Sequence, residues 1–181
     1  MNDPHLLAEI PLRGPSGEPV DFRRTLASHG VAYLPPILVD EEAWTIEVTL
    51  PVDGSRPRTV RIAETRPGSA AVTVLGRLPG RRGVSSLLSR VRRTLNLEED
   101  LSDFYAMARG DPDLAWVAHG AGRMIRSSSV FGDVVKTICT TNCAWSATKR
   151  MVTALVADLG EPAPGAPPDG WRGRTFPTPE A

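Results

Sequence analysis

Between Trp44 and Leu50 apolar and polar residues alternate, with Trp44, Ile46, Val48 and Leu50 separated by Thr45, Glu47 and Thr49, the period of a strand with one buried face. Asp53-Gly54 supplies a turn, Val60 and Ile62 continue a second strand, Pro67-Gly68 turns again, and Val72 to Leu75 make a third. The pattern therefore predicts an antiparallel sheet of at least three strands. Residues 1 to 20 carry Pro11, Gly14, Pro15, Gly17 and Pro19 and read as an irregular lead-in. Asp21 follows as the cap of a short helix from Phe22 to Ser28, with Gly30 as its stop.

After Gly83 the period lengthens. Val84, Leu87, Leu88, Val91 and Leu95 stand at i, i+3, i+4, i+7 and i+11, one apolar stripe of a helix that covers the sheet, with Arg90, Arg92 and Arg93 on its flanks and far side. Ser102 begins a further helix ended by Gly110, and Asp111 with Pro112 at the first helical position begins another ended by Gly120. From Ser129 runs the longest periodic segment: Phe131, Val134, Val135, Ile138 and Cys139, then Trp145, Val152, Leu155, Val156 and Leu159, closed by Gly160. Thr140, Thr141 and Asn142 interrupt it, three residues that favour caps over helix interiors, so two helices are expected to meet there. The fold class expected is α+β: an antiparallel-sheet α+β domain over residues 1–96 with its covering helix, an incomplete all-α helical domain over residues 97–160, and a Pro/Gly-rich tail over residues 161–181.

Composition narrows the class. With 181 residues and 41% apolar content the chain can bury a core, two cysteines cannot build a disulfide framework, and no stretch approaches the length of a membrane span. The opening ten residues lack a basic start or a long apolar run, so a cytoplasmic protein away from membranes is expected. Basic and acidic residues balance at 21 each, but they are segregated. Ten acids face six bases up to Glu64, whereas Arg77, Arg81, Arg82, Arg90, Arg92 and Arg93 fall in seventeen residues without an acid. A second basic region, His119 to Ala157, sets Arg123, Arg126, Lys136, Lys149 and Arg150 against Asp133 alone. Each block fits an anion-binding surface or a solvated helix face.

Most other chemistry drops out. Cys139 and Cys143 stand four apart without a neighbouring His and read as two buried thiols, since a zinc or iron-sulfur site needs four ligands. His5, His29 and His119 are scattered and nominate no general base. No Gly-rich phosphate loop occurs, so no metal and no cofactor is expected.

The run Lys136-Thr137-Ile138-Cys139-Thr140-Thr141-Asn142-Cys143-Ala144-Trp145, with Arg150-Met151-Val152 at helical spacing behind it, resembles a segment of the helix-hairpin-helix superfamily of DNA glycosylases, in the branch of the 8-oxoguanine and 3-methyladenine enzymes. Asp21-Phe22, Val31-Ala32-Tyr33-Leu34-Pro35-Pro36, Asp103-Phe104-Tyr105 and Asp111-Pro112 support it in the family's order, over roughly residues 21 to 160. The resemblance implies a sheet followed by a helical body, base-excision repair as the function, and double-stranded DNA with a modified base as the partner. It further implies that Asn142 is the residue inserted where the damaged base leaves the stack. An Asn suits that place because it tolerates turn geometry and offers both donor and acceptor to a widowed base; the alternative is an ordinary cap of the following helix. Thr140 and Thr141 could cap or reach a phosphate, and Arg123, Arg126, Lys149 and Arg150 are candidates for neutralising the DNA backbone.

The family's Leu-Pro-x-Val-Gly hairpin and its catalytic Asp lie downstream of the part matching residues 130 to 160, and neither pattern occurs before Ala181. Leu78-Pro79-Gly80-Arg81-Arg82-Gly83 looks like the hairpin, but its second glycine comes one place late and the segment before it has strand period, so it reads as a β-to-α turn and Asp100 and Asp103 as non-catalytic. No catalytic residue is assigned, and the chain alone is expected to excise no base. A non-catalytic DNA-binding remnant, or a split subunit completed by a carboxy-terminal half on a second chain, is the alternative. Either way an apolar face near Trp145, Val152 and Leu155 is expected to lie exposed.

Overall fold

The computed structural model describes residues 4–181. Five strands, β1 (Pro4–Pro11), β2 (Ile37–Asp40), β3 (Thr45–Val52), β4 (Ser55–Arg66) and β5 (Ser69–Leu75), form one antiparallel sheet in the order β1-β5-β4-β3-β2. The alternating positions Ile46, Val48, Leu50, Val60, Ile62, Val72 and Val74 are all buried. In the β3–β4 register Ile46 faces Ile62 and Val48 faces Val60, so the period-2 pattern becomes cross-strand apolar pairs.

β1 corrects the expectation of an irregular lead-in. Pro4 and Pro11 stand at its two ends on an edge strand, where a missing N–H leaves the sheet's single ladder intact, and Ile10 anchors it in the core. β2 was equally silent because four residues are too short to display a period. Helix α1 (Phe22–Leu26) is capped by Asp21, whose carboxylate accepts from the Arg24 N–H at 3.0 Å. It ends at Ala27 rather than at Gly30. Gly30 instead opens a 3-10 turn, Gly30–Tyr33, and lies so close under the Trp145 indole that an added Cβ would stand 3.2 Å from the ring.

α2 (Arg81–Thr94) lays Leu87 and Val91, with Leu95 at its end, into the sheet's core. Leu78-Pro79-Gly80 is the turn that carries the chain from β5 into it. The body beyond contains α3 (Ser102–Arg109), α4 (Val130–Cys139) and α5 (Trp145–Leu159). Where an α-helix was expected after Pro112, a 3-10 turn, Ala115–His119, forms instead; five residues before the left-handed Gly120 leave room for little more than one turn. Tyr105, Ala108, Val117, Ala118 and Ala121 make a small separate core there.

The tail beyond Leu159 is a loop without helix or strand, yet it is held. Arg174 donates to the carbonyls of Gly160 at 3.1 Å and Gly170 at 3.0 Å, Thr175 and Phe176 are buried, and Phe176 joins Leu34, Val152 and Val156 in a third apolar cluster. Val152 is therefore wholly covered and Leu155 half-buried, so of the apolar face expected near Trp145, Val152 and Leu155 only Trp145 is exposed. A further exposed apolar stripe lies on α4, where Val130, Val134 and Ile138 stand at i, i+4 and i+8, while Phe131 and Val135 turn toward α5 and the tail.

Candidate nucleic-acid interface

α4 begins at Ser129, whose hydroxyl accepts from the Gly132 N–H at 3.1 Å. It ends at Cys139, and the connection to α5 is Thr140 to Ala144. Helix ends leave carbonyls without intrahelical partners, and here side chains take them up. The Thr140 and Thr141 hydroxyls donate back to the Thr137 and Ile138 carbonyls at 2.6 and 2.7 Å. Their protons are thus committed to the helix end. The Cys139 carbonyl receives the Thr148 hydroxyl at 2.7 Å and lies 3.1 Å from the Cys143 sulfur.

At the crest of this turn stands Asn142. Its φ is 50°, a left-handed geometry that Asn tolerates better than most residues, and it is exposed to solvent. No hydrogen-bonding partner engages its amide among the described residues. Lys149 and Arg150, in the first turns of α5, are exposed and free of ion pairs among the described residues. Trp145 seats on Gly30 and fixes the start of α5 against the segment that follows α1.

The two remaining candidate cations behave differently. Arg123 is a correction: its side chain is fully buried and paired with Glu18 at 3.0 Å. It also donates to the carbonyls of Asn96 and Glu99, while Glu18 accepts from the N–H groups of Leu101 and Ser16 at 3.1 and 3.0 Å. A guanidinium so enclosed cannot meet a phosphate; it ties the amino-terminal loop to the link between α2 and α3. Arg126 reaches the surface but pairs with Glu99 at 2.9 Å. In the first basic block Arg77, Arg81 and Arg82 are exposed, whereas Arg90 pairs with Asp53 at 2.9 Å and holds that carboxyl below its ordinary range, through their hydrogen bond first.

Sequence reasoning missed three groups. Thr148 stands on the buried stripe of α5 with Val152 and Val156, and a polar residue on an apolar stripe was its only signal. Lys136 is 1% exposed, bonded to the Ser127 hydroxyl at 3.1 Å and lying 5.4 Å from the centre of the Phe176 ring; burial pushes its pKa down to about 8, opposed in part by Asp133. Cys143 is exposed while Cys139 is half-buried, which corrects the expectation of two buried thiols. The described residues contain no group of side chains that could hold a metal ion.

The arrangement of sheet and helices is found in solved structures. The chain superposes on a 3-methyladenine DNA glycosylase from Archaeoglobus fulgidus with a TM-score of 0.69 and 19% identity, over 96% of this chain and 57% of that one. It superposes on MBOgg1, solved in complex with a low-affinity DNA ligand, with a TM-score of 0.59 and 15% identity, over 95% of this chain and 52% of that one. The fold is that of DNA glycosylases. This chain spans little more than half the length of either structure. No protein-family model and no curated protein sequence matches it.

Proposed function

We propose that this chain serves base-excision repair as the damage-reading part of a DNA glycosylase, binding double-stranded DNA that contains a modified base. The observation that carries the reading is Asn142. In a glycosylase fold it crowns a turn whose Thr140 and Thr141 hydroxyls are already bonded, its own side-chain amide has no partner among the described residues, and Lys149 and Arg150 stand in the first two turns of α5. Extruding a base costs a few kcal/mol of lost pairing and stacking. An amide placed in the vacated space recovers part of that cost, because it can donate to and accept from whichever edge the widowed base presents. Lys149 and Arg150 neutralise phosphates on either side and supply affinity without sequence preference. Thr140 and Thr141 keep the turn's shape through their carbonyl bonds and leave only hydroxyl lone pairs to the outside. Hydrolysis of the N-glycosidic bond needs a carboxylate and an activated nucleophile, neither of which this surface supplies, so these residues alone excise no base.

The test is fluorescence anisotropy with an intact duplex and the same duplex carrying one abasic site. The chain is expected to prefer the abasic duplex, and Asn142→Gly, which keeps the left-handed backbone accessible and removes only the amide, is expected to reduce that preference about tenfold, the worth of one or two hydrogen bonds. Equal binding to both duplexes by the wild-type chain refutes the reading. Robust excision of a damaged base by the pure chain refutes the assignment of chemistry to residues outside it.

The exposed stripe Val130, Val134 and Ile138, together with exposed Phe104, Met107 and Met124, favours a second reading alongside the first: a non-catalytic DNA-binding subunit whose helical body is completed by another chain. Mixing with such a chain would then protect these residues from solvent.

A further inference from the structure

The connection between α4 and α5 could have been closed by water or by a glycine cap. It is closed instead by a hydroxyl from the first turn of the next helix. A Thr inside a helix ordinarily returns its hydroxyl to the carbonyl four residues back in the same helix, which for Thr148 is Ala144. The Thr148 N–H does make that bond, at 3.2 Å. The Thr148 hydroxyl does not: it crosses the turn to the Cys139 carbonyl, nine residues back in the preceding helix, at 2.7 Å. The Cys143 sulfur lies 3.1 Å from the same carbonyl and 3.3 Å from the Thr148 hydroxyl. Three atoms from the two ends of the turn thus meet at one point, and Asn142, next to Cys143, is held with φ at 50° outside it. Thr148 is 1% exposed. Packing against Val152 and Val156 would be served equally by Val, so the hydroxyl is there for the carbonyl.

We propose that Thr148 is a positioning residue: its hydroxyl, closing on the Cys139 carbonyl, fixes the direction in which Asn142 leaves the turn and thereby sets discrimination between disrupted and intact duplexes without contributing to affinity for DNA as such. The inference rests on the reading of Asn142 as the residue that enters the duplex. A wedge on a loose turn must be ordered on binding, and that ordering is subtracted from the recognition step alone. A wedge braced beforehand avoids the loss.

Two measurements on the full chain separate this from the reading beneath it. The first is anisotropy on intact and abasic duplexes with Thr148→Val, which preserves shape, and Thr148→Ser, which restores the hydroxyl. Thr148→Val is expected to lower the preference for the abasic duplex about tenfold, to leave binding to the intact duplex unchanged, and to be rescued by Thr148→Ser. The second is amide hydrogen exchange in the free protein. Thr140 and Thr141 donate to the Thr137 and Ile138 carbonyls at 3.0 Å each, and their exchange is expected to accelerate in Thr148→Val and to slow again in Thr148→Ser. A preference that survives Thr148→Val, an equal loss on both duplexes, or exchange that does not change overturns the role of Thr148. Absence of any preference in the wild-type chain refutes the proposed function itself; accelerated exchange in that case leaves Thr148 a residue of the fold only and overturns its part in recognition as well.

Discussion

Replacing Lys136 by Met is expected to stabilise this protein at neutral pH and to do so in a pH-dependent way. The ammonium is almost wholly enclosed, with one hydrogen bond to Ser127, a face of Phe176 beside it, and Asp133 as the carboxylate that opposes its loss of charge. Burial lowers its pKa from 10.5 to about 8. At about 1.4 kcal/mol per pH unit, holding the charged form inside costs on the order of 3 kcal/mol at pH 7. Met has nearly the same length and fills the same space, while losing the Ser127 bond and the cation–π contact at roughly 1 kcal/mol each. The net gain at pH 7 is therefore about 1 kcal/mol. Between about pH 8 and 10.5 the unfolded chain still holds the lysine proton that the folded chain has released, so raising the pH favours the folded wild type. The advantage of Lys136→Met should accordingly shrink by on the order of 3 kcal/mol across that window and change sign at about pH 9, in its lower half. Tyr33 and Tyr105, both raised above the ordinary tyrosine value, the first by its hydrogen bond to Glu41 and the second by burial, titrate equally in both proteins and cancel in the difference. Urea unfolding of the pair at pH 7, 8, 9 and 10 reads the effect directly. A stability difference that stays flat across these pH values would show that the amine is solvated in the native state, and the argument from burial would fail.

Arg123→Met leaves Glu18 charged and enclosed without its partner, so it should cost about 3–5 kcal/mol of stability; the salt dependence of DNA binding, measured where the variant is still folded, should not change, and a reduced slope would return Arg123 to the DNA surface. Lys149→Gln and Arg150→Gln should each lower the slope of log affinity against log salt by about 1 and weaken intact and abasic duplexes alike; a loss confined to the abasic duplex would mean base contact instead. Val134→Gln with Ile138→Gln, at positions 50% and 61% exposed, should alter unfolding stability by no more than about 0.5 kcal/mol each while reducing self-association in light scattering. A large loss of stability would place these side chains inside the folded body.

The order of β3, β4 and β5, the covering helix α2 and the break between α4 and α5 could be read from the chain because each depends on contacts near in sequence. Hairpin turns fix strand order, a 3.6-residue stripe fixes a helix face, and Thr-Thr-Asn prefers a helix end to a helix interior. The Asn142 turn was visible for that reason, and so was the decoy Leu78-Pro79-Gly80. The edge strand β1 was not, since its pairing with β5 joins residues 58 to 71 apart and its prolines are tolerable only once an edge is known to exist. Local charge counting placed Arg123 and Lys136 with Lys149 and Arg150 in one basic block. Only packing separated them, because Glu18 lies 105 residues from Arg123 and Phe176 forty from Lys136 in the chain. The tail likewise reads as loop by composition, and it is a loop; that it buries Phe176 against Val152 and Val156, and so covers the middle of α5 while Val130, Val134 and Ile138 stay exposed on α4, was decided by tertiary structure. Sequence sets which backbone shapes are cheap, whereas the fate of a charge or an apolar face depends on what distant segments bring to it.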